Sequence, residues 1–121
     1  MAVKVALRQP YAFLDIASPR SHATLTRVLA QPLSALGVDN LDTNVVSGRD
    51  RRITRLIAAW ALEPDVDGLE LAGVRYISRL GEWECWAVRE DALIEITETH
   101  PVTRDIPELQ HVATQWDLTV F

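Results

Sequence analysis

The stretch Gly73-Val74-Arg75-Tyr76-Ile77-Ser78-Arg79-Leu80-Gly81-Glu82-Trp83-Glu84-Cys85-Trp86-Ala87-Val88 decides the fold. Val74–Leu80 and Trp83–Val88 are two β-prone runs on either side of Gly81, a residue suited to a reversal of the chain, and they predict an antiparallel pair. Gly73 reads as a further turn signal. A side-chain period of two puts Val74, Tyr76 and Ser78 on one face and Arg75, Ile77 and Arg79 on the other. Trp83 and Trp86 have opposite parity, which predicts either an exposed indole or a bulge.

Upstream lies the strongest helix pattern. Asp50 is a good N-cap, and Ile53, Leu56, Ile57, Trp60 and Ala61 follow at i, i+3, i+4, i+7 and i+8, one continuous apolar stripe. Glu63-Pro64-Asp65 breaks it, and Asp67-Gly68 is a turn signal. Further towards the N-terminus, Val3–Leu7 and Tyr11–Ile16 read as strands, and Ser18-Pro19 opens a helix carrying Leu25, Val28 and Leu29. The Ser18 side chain is placed to accept a bond from an orphan N–H. Gln31-Pro32 ends that helix or starts a short second one through Leu36, with a stop at Gly37. The polar, Asn/Asp-rich residues Val38–Gly48 read as a loop. Beyond the central pair, Leu93–Thr97 reads as a strand with Leu93 and Glu95 on one face and Ile94 and Ile96 on the other. Pro107 opens a helix carrying Leu109, Val112, Ala113 and Trp116, and Leu118–Phe121 reads as a closing strand. Strands, helices, strands, helix and strand in that order predict an α+β fold, a mixed sheet with packed helices in a single domain over residues 1–121.

The chain has 121 residues with 48% apolar and 24% charged composition, which suits one globular domain and excludes disorder. No run approaches the ~20 apolar residues of a membrane span, so no membrane association is expected. The start, Met1–Val5, lacks the pattern of a signal peptide. The lone cysteine, Cys85, excludes an internal disulfide and a cysteine-cluster metal site, and fits a cytoplasmic location. Twelve Lys and Arg against seventeen Asp and Glu give a net charge of −5, which argues against broad nucleic-acid binding.

The chemistry-bearing residues are few. Glycine-rich phosphate loops and nucleophile elbows are absent. His22, His100 and His111 have no ligand spacing, and each is expected on the surface, with no metal assigned. Cys85, flanked by acids, is expected to be a buried, inert thiol. The four tryptophans, Trp60, Trp83, Trp86 and Trp116, fall mostly at core-compatible positions. Arg49, Arg51, Arg52 and Arg55 cluster at the start of the Asp50 helix, where cations oppose the helix dipole. Either they hold an anion there, or they form a solvated face with Asp50 as counter-charge. Convergence on a cleft would decide for the anion. Ser78 is either a small polar residue at a strand end or a group pointing into a ligand site.

The segment Gly73–Leu80, followed by Glu84-Cys85-Trp86-Ala87-Val88, resembles the C-terminal part of the RES domain, a family that includes toxins of bacterial toxin–antitoxin pairs. Thr54–Trp60, Tyr11–Ile16 and Pro107–Val120 look like weaker matches to neighbouring elements of that family. The resemblance implies a fold related to ADP-ribosyltransferases and cleavage of NAD at the nicotinamide–ribose bond by hydrolysis or phosphorolysis. It implies Ser78 as the catalytic-type residue, with Tyr76 and Arg79 beside it, and Arg49 and Arg51 join them as candidate binders of NAD as substrate or ligand. No other cofactor is required. The family's Arg and Glu belong to a part preceding the strand that here begins the chain. The expectation is therefore a chain that is catalytically incomplete alone, with a site completed by residues supplied elsewhere. The alternative is a non-catalytic module that binds a nucleotide or pairs with itself, a RES-type toxin or an antitoxin. An unrelated α+β interaction domain is the third expectation.

Overall fold

The computed structural model describes residues 1–63 and 70–121. The elements in chain order are β1 (Ala2–Leu7), β2 (Ala12–Asp15), α1 (Pro19–Val28), α2 (Ala30–Ala35), α3 (Thr43–Val46), α4 (Arg51–Leu62), β3 (Leu71–Ile77), β4 (Glu84–Val88), β5 (Ile94–His100) and α5 (Pro107–Trp116). The architecture is mixed α+β, and the chain divides into two compact units, one of Pro10–Ala92 and one of Met1–Gln9 with Leu93–Phe121. The expected turn at Asp67-Gly68 and most of the break after Glu63 lie outside the described residues.

The Pro10–Ala92 unit is built on a three-stranded mixed sheet in the order β2-β3-β4, with β2 parallel and β4 antiparallel to β3. The connection from β2 to β3 carries α1–α4, as a parallel pair requires a long crossover. Ile16, Leu25, Leu29, Leu33, Leu41, Ile53 and Ile57 form the core, with Leu14 and Val74 of the sheet and Trp60 of α4 packed against it. Ser18 is the N-cap of α1, but its side chain caps nothing. Its carbonyl oxygen accepts from the His22 N–H at 3.1 Å. Pro32 sits in the first turn of α2, where an N–H would have no helical partner. Gly37 closes α2 at φ +76°, with its N–H on Ser34 and the Val38 N–H on Leu33.

The stretch Val38–Gly48 is not wholly loop. Asp42 Oδ1 accepts from the Val45 N–H at 2.8 Å and caps the short α3, so the polar residues there include a helix cap. Nor is His22 on the surface. It is buried, and its Nε2 lies 2.7 Å from the Ile16 carbonyl oxygen, which gives the ring a partner at the end of β2. Gly73 makes no turn. It lies inside β3, where a Cβ would run into the Ala87 backbone, and its missing side chain permits the close approach of β4. Gly81 does serve the reversal, and the Trp83 ring lies against it.

Arg75 ties the three strands together. Its Nη1 donates to Asp15 Oδ1 on β2 and its Nη2 to Glu84 Oε2 on β4, each at 2.9 Å. The hydrogen bond from Arg75, and a second from Trp86 Nε1, hold the Glu84 carboxyl below the usual range. Trp86, on the same outer face, meets Phe13 edge-on at 4.9 Å. Core placement of the tryptophans holds only for Trp60. Trp83, Trp86 and Trp116 are 39%, 50% and 43% exposed: Trp83 lies in the turn before β4, Trp86 stands on the outer face with Phe13 beside it, and α5 buries only Ala113.

In the other unit, β1 pairs antiparallel with β5, with a register shift that leaves Thr97 out of the pairing between Glu98 and Ile96. Val3, Val5 and Leu7 share a face with Ile94 and Ile96, while Lys4 pairs with Glu98 and Arg8 with Glu95. Helix α5 starts at Pro107 and ends at Asp117, which takes a left-handed conformation at φ 51°. Leu118–Phe121 forms no strand: the Leu118 N–H turns back to the Ala113 carbonyl oxygen, and Phe121 is exposed.

Two expectations follow. Gly73→Ala is expected to destabilise the chain by about 1–3 kcal/mol, since neither backbone at the close approach can yield freely. A denaturant midpoint equal to that of the wild type would refute this. Because the Glu84 carboxyl is depressed, its contribution to stability is present above the unfolded carboxyl value and is lost as pH falls through the folded one. The melting-temperature difference between wild type and Glu84→Gln is therefore expected at pH 6 and should close on acidification. A difference that does not vary with pH would refute it.

Candidate functional site

All five candidate site residues, Arg49, Arg51, Tyr76, Ser78 and Arg79, line one cavity of about 570 Å³ in the Pro10–Ala92 unit. Each reaches it for a local reason. Arg51 is the first residue of α4, and Arg49 precedes its cap. Val74, Tyr76 and Ser78 follow the period of β3, whose inner side forms one wall. Arg79 lies beyond the end of that strand, on the segment that turns towards β4.

The arginine cluster divides in two. Arg52 folds back on Asp50, with Nε 3.0 Å from Oδ1 and Nη2 2.7 Å from Oδ2, while the Asp50 Oδ1 also accepts the Arg52 N–H at 3.0 Å. The side-chain bond to Arg52 holds the Asp50 carboxyl below its ordinary value. Arg52 and the exposed Arg55 line no part of the cavity. Arg49 and Arg51 do, and Arg79 joins them. Among the described residues none of the three is in an ion pair, and the cavity lining contains no aspartate or glutamate. A chain of net charge −5 thus concentrates three unneutralised guanidinium groups at one opening. Such a lining attracts anions and can form charge-assisted hydrogen bonds with phosphate oxygens.

Ser78 is held by two bonds. Its N–H donates to the Trp83 carbonyl oxygen at 2.8 Å, and its Oγ accepts from the Leu80 N–H at 3.1 Å. Among the described residues no histidine or carboxylate lines the cavity to take a proton from this hydroxyl, so its chemistry with them is that of a hydrogen-bonding group.

Some lining residues escaped the sequence. Cys85 is half-buried rather than buried, and it lines the cavity as the cross-strand partner of Tyr76. Strand parity alone could have placed it there, once the register of β3 and β4 was known. Thr54 and Ala58 line the wall at three and seven residues beyond Arg51, on one stripe of α4. The apolar pattern of the helix draws the eye to the neighbouring stripe of Ile53, Ile57 and Ala61.

Among the described residues, no group of three or more His, Cys, Asp or Glu could hold a metal ion, and no helix is long and apolar enough to cross a membrane. No family model, curated protein or solved structure matches the chain.

Proposed function

We propose that this chain is a RES-like protein of NAD-degrading ancestry whose cavity binds NAD through Arg49, Arg51 and Arg79, and which does not cleave NAD by itself. The observation that carries this is the lining: among the described residues, three unpaired arginines and no carboxylate, beside Tyr76 and Ser78, in an acidic chain. The arginines suit a pyrophosphate. The apolar wall of Ile16, Ile57 and Val74 suits a ring. Ser78 and Tyr76 offer hydroxyls to a ribose. Cleavage of the nicotinamide–ribose bond builds positive charge on the sugar, and a negative group must face it. Among the described residues the charged groups of the lining are all cations, so turnover needs a carboxylate from another chain or segment, as the RES resemblance implies for its Glu.

Calorimetric titration of the purified chain with NAD tests this. Binding is expected, weakened by added salt and about tenfold or more by Arg51→Ala. The NAD is expected to remain intact with wild type and Ser78→Ala alike, with or without phosphate. Absence of binding overturns the assignment. NAD loss that disappears in Ser78→Ala overturns the incompleteness of the site.

A second role, as a module that pairs with itself, has one observation in its favour. Val3, Val5, Leu7, Ile94 and Ile96 make an apolar face on a two-stranded sheet and remain 44–64% exposed, and such a sheet gains stability when its face is covered. Sedimentation is expected to show concentration-dependent association that Val5→Lys abolishes. A monomer at every concentration would refute it.

A further inference from the structure

The cavity does not end at the arginines. A second cavity, of about 580 Å³, lies beside it, and Ala58, Val74 and Ala87 line both. Val74 and Ala87 are cross-strand partners on β3 and β4, and Ala58 belongs to α4. Helix α4 contributes Arg51, Thr54 and Ala58 to the first cavity and Ala58 and Leu62 to the second. These positions are three, four and four residues apart, a single stripe along the helix. From Arg51 to Leu62 the rise is about 16 Å. The two cavities thus adjoin along α4 beside the β3–β4 pair, with Ala58, Val74 and Ala87 common to both, and together they line a groove.

The ends of the groove differ in charge. Among the described residues, the first has three unpaired arginines and no acid. The second is walled by Leu62 and Val88 and edged by Arg89, Glu90 and Asp91. Arg89 is already neutralised: its Nε and Nη2 donate to Asp91 at 2.9 and 2.5 Å, and its Nη1 donates to Glu70 at 3.3 Å. The second end therefore repels phosphate, and its carboxylates accept N–H bonds from an amino- or amide-bearing ring.

Building on the NAD-binding role proposed above, we infer that the groove is a two-part site for an extended dinucleotide. The pyrophosphate and one nucleoside lie in the arginine cavity, and the second ring passes Ala58 into the pocket edged by Glu90 and Asp91. The small side chains of Ala58 and Ala87 are the specificity-determining feature, because a larger residue at either position closes the passage without touching the arginines.

The test is titration of the full chain with NAD, AMP and nicotinamide mononucleotide, repeated on Ala58→Leu and, from the sheet side, Ala87→Leu, with circular dichroism to confirm folding. Wild type is expected to bind NAD about tenfold or more tighter than either mononucleotide. Each variant is expected to lose that advantage, binding NAD no more tightly than the tighter of the two mononucleotides. An NAD advantage that survives in a folded variant overturns the two-part site, as does wild type binding NAD no better than a mononucleotide. Both of these outcomes leave the arginine cavity standing as a nucleotide site. Wild type that binds none of the three overturns the NAD-binding role and the two-part site together.

Discussion

Helix α4 must bury one stripe of its surface, and the groove follows from that constraint. Ile53, Ile57 and Ala61 repeat every four residues and are almost fully withdrawn from solvent. Burying each isoleucine contributes about 1.5–3 kcal/mol. Placing an arginine in the first turn costs about 0.3–1 kcal/mol, and at Arg52 the Asp50 carboxylate offsets that cost. Burial wins, and it fixes the rotation of the helix. Arg51, Thr54, Ala58 and Leu62 then have only one stripe to occupy, and that stripe lines the groove. The dipole cost of Arg51 has no such local compensation, and an anion in the cavity would supply it.

The other wall depends on how closely the strands approach. Gly73 lets the backbone of β4 come near β3 where a methyl group would not fit, and Arg75 holds both neighbouring strands from the outer face. Since neighbouring residues on a strand point to opposite faces, holding Arg75 outward keeps Val74 and Tyr76 inward. Their cross-strand partners Ala87 and Cys85 are thereby set on the same wall. One ion-paired network on the outside thus specifies a nearly uncharged surface on the inside. The arginines are left to the rim, where they stay hydrated until an anion arrives.

Much of the fold was legible in the sequence because it is written in periods. The stripe of α4, the alternation of β3, the reversal at Gly81, the stop at Gly37 and the start at Pro107 are all local. What was not legible depends on tertiary contact. His22 is buried because the end of β2 offers a carbonyl oxygen, which no neighbour in sequence reveals. Gly73 looks like a turn until a second strand is laid against it. Leu118–Phe121 looks like a strand, yet the left-handed Asp117 closes α5 and the backbone turns back on Ala113. The tryptophans look like core because they are large and apolar. Trp86 instead stands on an outer face with Phe13 and hydrogen-bonds to Glu84 at 2.6 Å.

The candidate site was legible in its charged and hydroxylic members and hidden in its alanines. Arginine and serine announce a chemistry, so Arg49, Arg51 and Ser78 could be singled out from type and position. An alanine announces nothing. Its role is the space it leaves, and that space exists only where two elements face each other. Ala58 and Ala87 belong to a helix and a strand, stand 29 positions apart in the chain, and line both cavities. Net charge misleads in a similar way. A balance of −5 describes the whole surface, whereas binding responds to the potential at one opening. Because acids elsewhere outnumber the bases, an anionic ligand finds few competing places to settle. An acidic chain with an arginine-lined mouth is therefore well suited to hold an anion there.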